Sequence, residues 1–296
     1  MIKWQVWGVF LLLSRESRQG LTLISPPLLY ALIMLAAPLA MVVTFSFWSQ
    51  NYLDLDTTIT LKNYKEAWSK PIYRVLILRS LNISIMVTLV TVLLAFPMAY
   101  FLSFRVKRNK ALWLFLITIP FWTSYLLRVF LWKVILGYNG VLNSALMGLG
   151  IIDEPMTFIL YNLNAVVITL AHAWAPFAIL PIFVSLERID RSLLEAAEDL
   201  GDGPFRRFFR VTLPLAMPGV IASTLIVMIP TVGDFITPKL VGGTDGLMIS
   251  NMIQIQFGKA NNAPLGAALA IASMVIVGSV SLVIFIAGRW FRGRAQ

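Results

Sequence analysis

Long apolar runs, each of about twenty residues or more, constrain this chain most strongly. In a bilayer every backbone polar group must be bonded within its own segment, so an apolar run of this length predicts a transmembrane helix. Charged residues make up 13% of the chain, against roughly 25% in soluble domains. We therefore predict an all-α integral membrane protein with six transmembrane helices. The predicted spans cover residues 27–48, 77–104, 111–131, 158–186, 215–236 and 265–288.

The positions of lysine and arginine predict how the chain lies in the membrane. Short cytoplasmic loops are enriched in these residues. When both termini are cytoplasmic, the basic run at 105–110 and the charged segment at 187–214 are cytoplasmic too. The opposite orientation places the basic run outside. We predict that both termini are cytoplasmic, so the net charge of +10 reflects topology and no nucleic-acid partner is expected.

The predicted spans divide the chain into three parts. Residues 1–24 are expected to form an uncleaved N-terminal cytoplasmic or interfacial segment, with a signal peptide as the alternative. Residues 25–290 form the transmembrane domain, and residues 291–296 form a cytoplasmic tail. The glycine-rich loop at 133–157 predicts a short helix or a re-entrant piece.

Several kinds of chemistry are excluded by residues that the sequence lacks. There are no cysteines and one histidine, His172, which excludes disulfides and multi-histidine metal sites. No Gly-x-x-x-x-Gly-Lys-Ser/Thr phosphate loop is present, so the chain is not expected to hydrolyse ATP. An integral membrane enzyme and a secondary transporter are remote alternatives. The first needs a nucleophile–base set and the second needs inverted repeats, and neither is evident.

The charged segment (residues 187–214) contains ordered helix signals. Ser192 and Glu195 match a capping box, in which two side chains bond the free amides of the first helical turn. Gly201 suits the left-handed position after a helix, and Pro204 suits the first turn of another. Pro214 marks re-entry into the membrane. We predict a helix, a glycine turn, a second helix and then the fifth span.

The first helix of the charged segment is amphipathic. Its apolar stripe contains Ile189, Leu193, Ala197 and Leu200, and its opposite face is charged. Two interpretations remain open from this pattern. The helix either rests on the membrane, with Glu195 only capping it, or it presents a surface to a partner.

The spacing within the charged segment also resembles a known signature. Importer permeases of the ATP-binding-cassette (ABC) class typically carry a signature with three parts. It begins with Glu-Ala-Ala, continues with a glycine four residues after the last alanine, and ends with a later aliphatic-x-Leu-Pro. That resemblance implies that the first helix is a coupling helix that docks on an ATPase. At the aliphatic position of the signature this chain has Val211, where isoleucine is commoner. The matching residues are Glu195, Ala196, Ala197, Gly201, Val211, Leu213 and Pro214.

A wider resemblance covers most of the chain. Residues 229–238, 240–243, 256–257 and 264–268 are similar to the spermidine/putrescine (polyamine) permeases, as are 123–128 and 140–143. The resemblance implies a type I ABC importer permease of the bacterial inner membrane. Its implied partners are a second, homologous permease in a heterodimer, two ATPase copies and a periplasmic solute-binding protein. ATP and Mg²⁺ would be bound by the ATPase and no cofactor by this chain.

One acidic residue, Asp234, lies in a predicted span, near its outer end. A carboxylate is costly in the membrane, so it should face a cavity or a partner. Pro230 and Gly233 predict a local helix break beside it. A carboxylate suits a cationic amine such as a polyamine, and an opine or an amino-acid-like solute is the alternative cargo. The competing interpretation is that Asp234 caps a helix or pairs with Arg128.

Three aromatic residues are further candidates for the substrate path. Trp122, Tyr125 and Trp174 could form a cage, because aromatic rings attract cations. Packing and interfacial positions are the alternative roles of these rings. His172 is expected to be a hydrogen-bonded core residue and not a proton relay.

Overall fold

The structure is a computed structural model, which describes residues 15–52 and 54–295. The first fourteen residues of the predicted N-terminal segment lie outside this description. Most of the described residues are helical, and strands β1 and β2 form a short antiparallel hairpin after the first helix. The elements are α1 (Arg15–Ser46), β1 (Ser49–Asn51), β2 (Asp54–Asp56), α2 (Lys62–Ser69), α3 (Pro71–Tyr100), α4 (Lys110–Thr118), α5 (Tyr125–Ile135), α6 (Val141–Gly148), α7 (Leu163–Glu187), α8 (Arg191–Asp199), α9 (Pro204–Arg207), α10 (Leu213–Gly233), α11 (Ile236–Val241), α12 (Ile249–Phe257) and α13 (Ala263–Ala295).

The helices confirm the predicted number of spans. Among the described residues five helices are long and apolar enough to cross a membrane, and a bent pair makes the number six. A π-helical turn extends α3 to Arg105, and another joins α9 to α10. The loop expected to hold a short helix contains α6. The last helix continues through the part that we predicted as a tail, because α13 ends at Ala295.

The third span differs from the prediction, because it is not continuous. Its two halves, Lys110–Trp122 and Tyr125–Ile135, are bent by 87°. Pro120 lies in a 3₁₀ turn before the bend and lacks the N–H that a continuous helix needs. Thr123 then has extended backbone angles, with φ −82° and ψ 152°. The continuous apolar pattern concealed this break.

The fifth span ends three residues earlier than predicted, at Gly233. Asp234 has extended backbone angles, with φ −73° and ψ 121°, and α11 begins two residues later. The break expected from Pro230 and Gly233 is therefore confirmed. A break at this depth exposes backbone groups that side chains must satisfy.

Helices α3, α7 and α10 pack against one another and form the centre of the fold. Ile83, Leu170 and Ile182 are completely buried between them. Gly219 allows α10 to approach α7 closely, since a Cβ there would lie 2.4 Å from the carbonyl oxygen of Pro181. Small residues at helix crossings favour such close packing in membranes.

Buried hydroxyl groups join the same three helices. The Ser223 hydroxyl donates to the carbonyl of Ala178 at 2.7 Å, which joins α10 to α7. The Ser84 hydroxyl donates to the carbonyl of Met228 at 2.8 Å, which joins α3 to α10. These bonds satisfy polar groups away from water and set the positions of the helices along each other.

The first helix has the opposite environment. None of the residues in its most apolar window is buried within the chain, although the helix contacts α13. Such a surface needs an apolar environment, which the lipid bilayer or another membrane subunit supplies.

Candidate functional site

The charged segment folds as predicted into a helical hairpin that leads into the fifth span. Helix α8 forms its first arm, and α9 with the following π turn forms the second. The prediction that Ser192 caps this helix is wrong. Asp190 has extended backbone angles and caps α8, because its Oδ1 accepts a bond from the amide of Ser192 at 3.0 Å. Ser192 already lies inside the helix.

The capping bond also affects the charge at the start of α8. The hydrogen bond from the Ser192 backbone amide lowers the pKa of Asp190 below its ordinary value. The charged form of the cap is therefore favoured. A negative charge at this end is also complementary to the partial positive charge of a helix N-terminus.

Gly201 ends α8 in the left-handed conformation, as predicted. Its φ is +83°. The amide of Asp202 donates to the carbonyl of Ala197 at 3.0 Å, and the amide of Gly201 donates to the carbonyl of Glu198 at 2.9 Å. This pair of bonds is a Schellman motif. The turn direction of the hairpin therefore depends on a residue that tolerates positive φ.

Ion pairs join the first arm and the turn of the hairpin to its second arm. Arg207 pairs with Glu198, and Arg210 lies 3.4 Å from the carboxylate of Asp202. The Asp202 side chain is almost fully buried, whereas the Arg210 side chain is mostly exposed. The contacts join α8 to the helical segment that enters the membrane.

The residues of the signature separate into an exposed group and a buried group. Glu195 and Ala196 are exposed on α8, and Gly201 is exposed in the turn. Ala197 and Pro214 are buried against the rest of the chain. The exposed group is available for contact with another protein.

The predicted apolar stripe is divided in the same way. Ile189 and Ala197 are buried against the rest of the chain. Leu193 and Leu200 are instead exposed, the latter by 84%. Phe205 on α9 is exposed by 81%. Large apolar side chains at the tip of a polar hairpin are typical of a protein-binding surface.

An aromatic contact links the hairpin to a central span. The rings of Phe208 and Phe96 meet edge to face with centroids 5.4 Å apart. Phe96 lies in α3, and Phe208 begins the π turn before α10. The hairpin is thus in contact with two of the three central helices.

The second candidate site lies where the third and fifth spans are broken. Both oxygens of Asp234 have partners there. Its Oδ1 accepts from the amides of Ile236 at 2.9 Å and Thr237 at 3.4 Å, and its Oδ2 accepts from the Tyr125 hydroxyl at 2.5 Å. The proposed capping role of Asp234 is confirmed, because the carboxylate bonds the free amides at the start of α11.

Side chains from α12 bond the carbonyl groups that the break in the fifth span leaves free. The Ser250 hydroxyl donates to the carbonyl of Asp234 at 2.6 Å, and the Asn251 amide donates to the carbonyl of Phe235 at 2.8 Å. Sequence reasoning missed both residues, and nothing in their spacing indicates that they face this break. Thr237 lies in the segment that resembles polyamine permeases, but its contact with Tyr125 was not predicted.

Arg128 does not pair with Asp234, which corrects the salt bridge considered as an alternative. Within the described part of the chain its hydrogen-bond acceptors are carbonyl oxygens, those of Phe121, Thr123 and Ala173, at 3.1–3.4 Å. The Arg128 side chain is buried and satisfies carbonyls that the bend in the third span leaves free.

The three candidate aromatic residues do not share one cavity. Tyr125 and Trp174 line a cavity of about 280 Å³ together with Arg128. Trp122 is 78% exposed and is not part of that lining. His172 is hydrogen-bonded as predicted, because its Nδ1 accepts from the Trp132 indole at 3.1 Å. It is exposed, however, and not a core residue.

The broken spans, the three central helices and the hairpin together define a multi-pass membrane transport subunit. Residues 60–294 match the family described as "Binding-protein-dependent transport system inner membrane component". The chain belongs to this family. It is therefore the permease component of an import system in the bacterial inner membrane and not an enzyme. Such a system also contains an ATPase that binds ATP, a second permease and a solute-binding protein.

Individual relatives agree with this assignment. The chain is 36% identical over 260 residues to the spermidine/putrescine transport system permease protein PotB of Escherichia coli K12, covering 88% of this chain and 94% of that protein. It is 40% identical over 228 residues to PotB of Haemophilus influenzae, covering 77% and 78%. A crystal structure of a bacterial ABC transporter that imports alginate has the same fold, with a TM-score of 0.71, 17% identity and coverage of 96% and 98%.

Proposed function

We propose that this chain forms the membrane path of an ATP-driven importer for a small cationic solute, a polyamine such as spermidine or putrescine. The observation that carries this proposal is the 36–40% identity to spermidine/putrescine permeases over most of the chain. The Asp234 carboxylate beside two broken spans supports it, because it offers a negative charge to an ammonium group.

The exposed surface of the hairpin is the proposed contact with the ATPase. Glu195 and Ala196 are exposed on it, and so are the large apolar side chains of Leu200 and Phe205. Glutamate offers a charge, alanine allows close approach, and the large apolar side chains supply buried area. In this proposal two ATPase copies bind ATP and Mg²⁺, and this chain binds no cofactor. The signature residues Val211 and Leu213 are half-buried and position the hairpin at the start of α10.

A homologous but different permease is the proposed partner within the membrane. The exposed apolar surface of α1 supports a membrane-embedded contact of this kind. A periplasmic solute-binding protein would deliver the cargo to the side opposite the hairpin. Cytoplasmic termini remain part of this proposal, since basic residues concentrate on the hairpin side.

The cargo assignment predicts that Asp234→Asn lowers spermidine uptake about tenfold or more. Asparagine can still accept the amide bonds that cap α11, so the complex should assemble normally. It loses the negative charge that would pair with an amine. Uptake of labelled spermidine into proteoliposomes that contain the complete transporter and its binding protein measures this effect.

Asp245→Asn is the matched control for this measurement. Asp245 is exposed in the loop after α11, so the same change of charge should leave uptake near that of the unaltered protein. Normal uptake by the Asp234→Asn transporter would contradict an amine path past this carboxylate.

One observation favours a second cargo class, an opine or an amino-acid-like solute. Arg128 lines the cavity beside Tyr125 and Trp174, and its Nε finds no acceptor among the described residues. A guanidinium group is complementary to a carboxylate. Competition assays separate the two classes. Inhibition by an unlabelled opine without inhibition by putrescine would favour this second cargo.

A further inference from the structure

The breaks in the third and fifth spans lie together in the fold. The third span bends by 87° between Trp122 and Tyr125, and the fifth stops at Gly233. The short helices after these breaks, α5 and α11, pack against each other. Each is thus separated from its own first half by non-helical residues and joined to the other.

Tyr125 makes the polar connection between these two helices. It is the first residue of α5, and its hydroxyl lies 2.5 Å from Asp234 Oδ2 and 2.7 Å from Thr237 Oγ1. Asp234 precedes α11 and bonds its first amides. A single hydroxyl therefore connects the beginning of one helix to the cap of the other.

Arg128 makes further contacts at the same bend. It lies three residues after Tyr125, so both side chains project from neighbouring positions on α5. Arg128 binds the carbonyls of Phe121 and Thr123 before the bend, and that of Ala173 in α7. The first turn of α5 is thus attached through Arg128 to α7 and to the residues before the bend, and through Tyr125 to the start of α11.

We propose that Tyr125 and Asp234 are a positioning pair that keeps α5 and α11 together as one unit, and that the ammonium group of an amine cargo loosens the unit by replacing the Tyr125 hydroxyl at the carboxylate. The positioning role of the pair rests on geometry alone. The exchange with an ammonium group rests on the proposed polyamine function.

The exchange is chemically favourable on two grounds. An ammonium–carboxylate hydrogen bond is stronger than a bond from a neutral hydroxyl, because both partners are charged. The displaced hydroxyl keeps its bond to Thr237 Oγ1 in α11, which lies 2.7 Å away, so α5 and α11 are held by one bond fewer and are not separated. The exchange therefore costs little in unsatisfied polar groups.

Tyr125→Phe tests the positioning role with the removal of one oxygen atom. The complete transporter with this substitution should hydrolyse ATP without cargo about tenfold faster than the unaltered one, because both bonds that the Tyr125 hydroxyl makes to Asp234 and Thr237 are lost. Tyr138→Phe is the matched control. Tyr138 is exposed in the loop after α5, and its substitution should leave the rate unchanged.

A distance measurement provides a readout that a loss of stability alone would not change. The chain has no cysteine, so spin labels can be placed at single introduced cysteines. Leu131→Cys on α5 and Lys239→Cys on α11 replace exposed residues. In the complete transporter the label–label distance distribution should be narrow with Tyr125 and clearly broader after Tyr125→Phe. Should that variant assemble poorly on size-exclusion chromatography, Asp234→Asn supplies a second way to weaken the same bond.

The outcomes separate the two parts of the proposal. An unchanged distance distribution and an unchanged ATPase rate in Tyr125→Phe would overturn the positioning role. If spermidine and the binding protein broaden the distance distribution in the transporter that retains Tyr125, the exchange is supported. If Tyr125→Phe broadens the distribution but spermidine does not, the positioning role stands and the exchange is contradicted. The polyamine cargo is contradicted only if labelled spermidine is also not taken up by the unaltered transporter.

Discussion

Transporters that carry Gly201→Asp are expected to lose ATP-driven uptake by at least about tenfold, because the hairpin can no longer present its docking surface correctly. Gly201 has φ +83°, and a residue with a Cβ pays roughly 1–2 kcal/mol to adopt that conformation. The turn can relieve this strain by rotating away from it, which breaks the two bonds that end α8. Co-purification of the ATPase and uptake assays measure the loss.

Gly203→Asp is the matched control, two residues further along the same turn. Gly203 has φ −64°, and space surrounds the position of an added Cβ. It precedes α9 at the capping position, where aspartate is a preferred residue. This variant should bind the ATPase and transport normally. Equal behaviour of the two variants would contradict the role given to the left-handed turn.

Gly219→Val should be the most destabilising single change among those considered in the membrane domain. Its Cβ would lie 2.4 Å from the carbonyl oxygen of Pro181 and 2.6 Å from the hydroxyl of Ser185. A backbone carbonyl cannot move without shifting α7, so overpacking of roughly 1–3 kcal/mol is expected. The thermal midpoint of the detergent-solubilised complex, followed by fluorescence size-exclusion chromatography, should fall by several degrees.

The corresponding change on the outer surface serves as the control. Gly278 in α13 has no atom within 4 Å of an added Cβ. Gly278→Val should leave the thermal midpoint unchanged or raise it slightly, because valine is a better helix former than glycine. A similar fall in both variants would show that the effect is not specific to the contact between α7 and α10.

The parts of the fold that follow from local chemistry were predictable. Length and hydropathy indicated the spans, and Gly201 and Pro204 indicated the hairpin, because these residues restrict the backbone whatever surrounds them. The break near Asp234 was predictable from Pro230 and Gly233 for the same reason. By contrast, the capping residue of α8 was misplaced, since Asp190 and Ser192 are both suitable caps and only the backbone path distinguishes them.

The bend in the third span could not be read from the pattern. Pro120 is compatible with a kinked but continuous helix in a membrane. The deciding contacts come from other parts of the chain. Tyr125 bonds Asp234, more than a hundred residues away, and Arg128 bonds Ala173.

Sequence alone determined that this chain is a helical membrane protein with a charged hairpin that carries the importer signature. It could do so because burial in lipid and helix termination depend on residue type and short spacing. Only the tertiary structure decided which signature residues are exposed, that α7 and α10 meet at Gly219, and that Tyr125 and Asp234 join two broken spans. These relations depend on contacts between residues far apart in the chain, for which no local pattern exists.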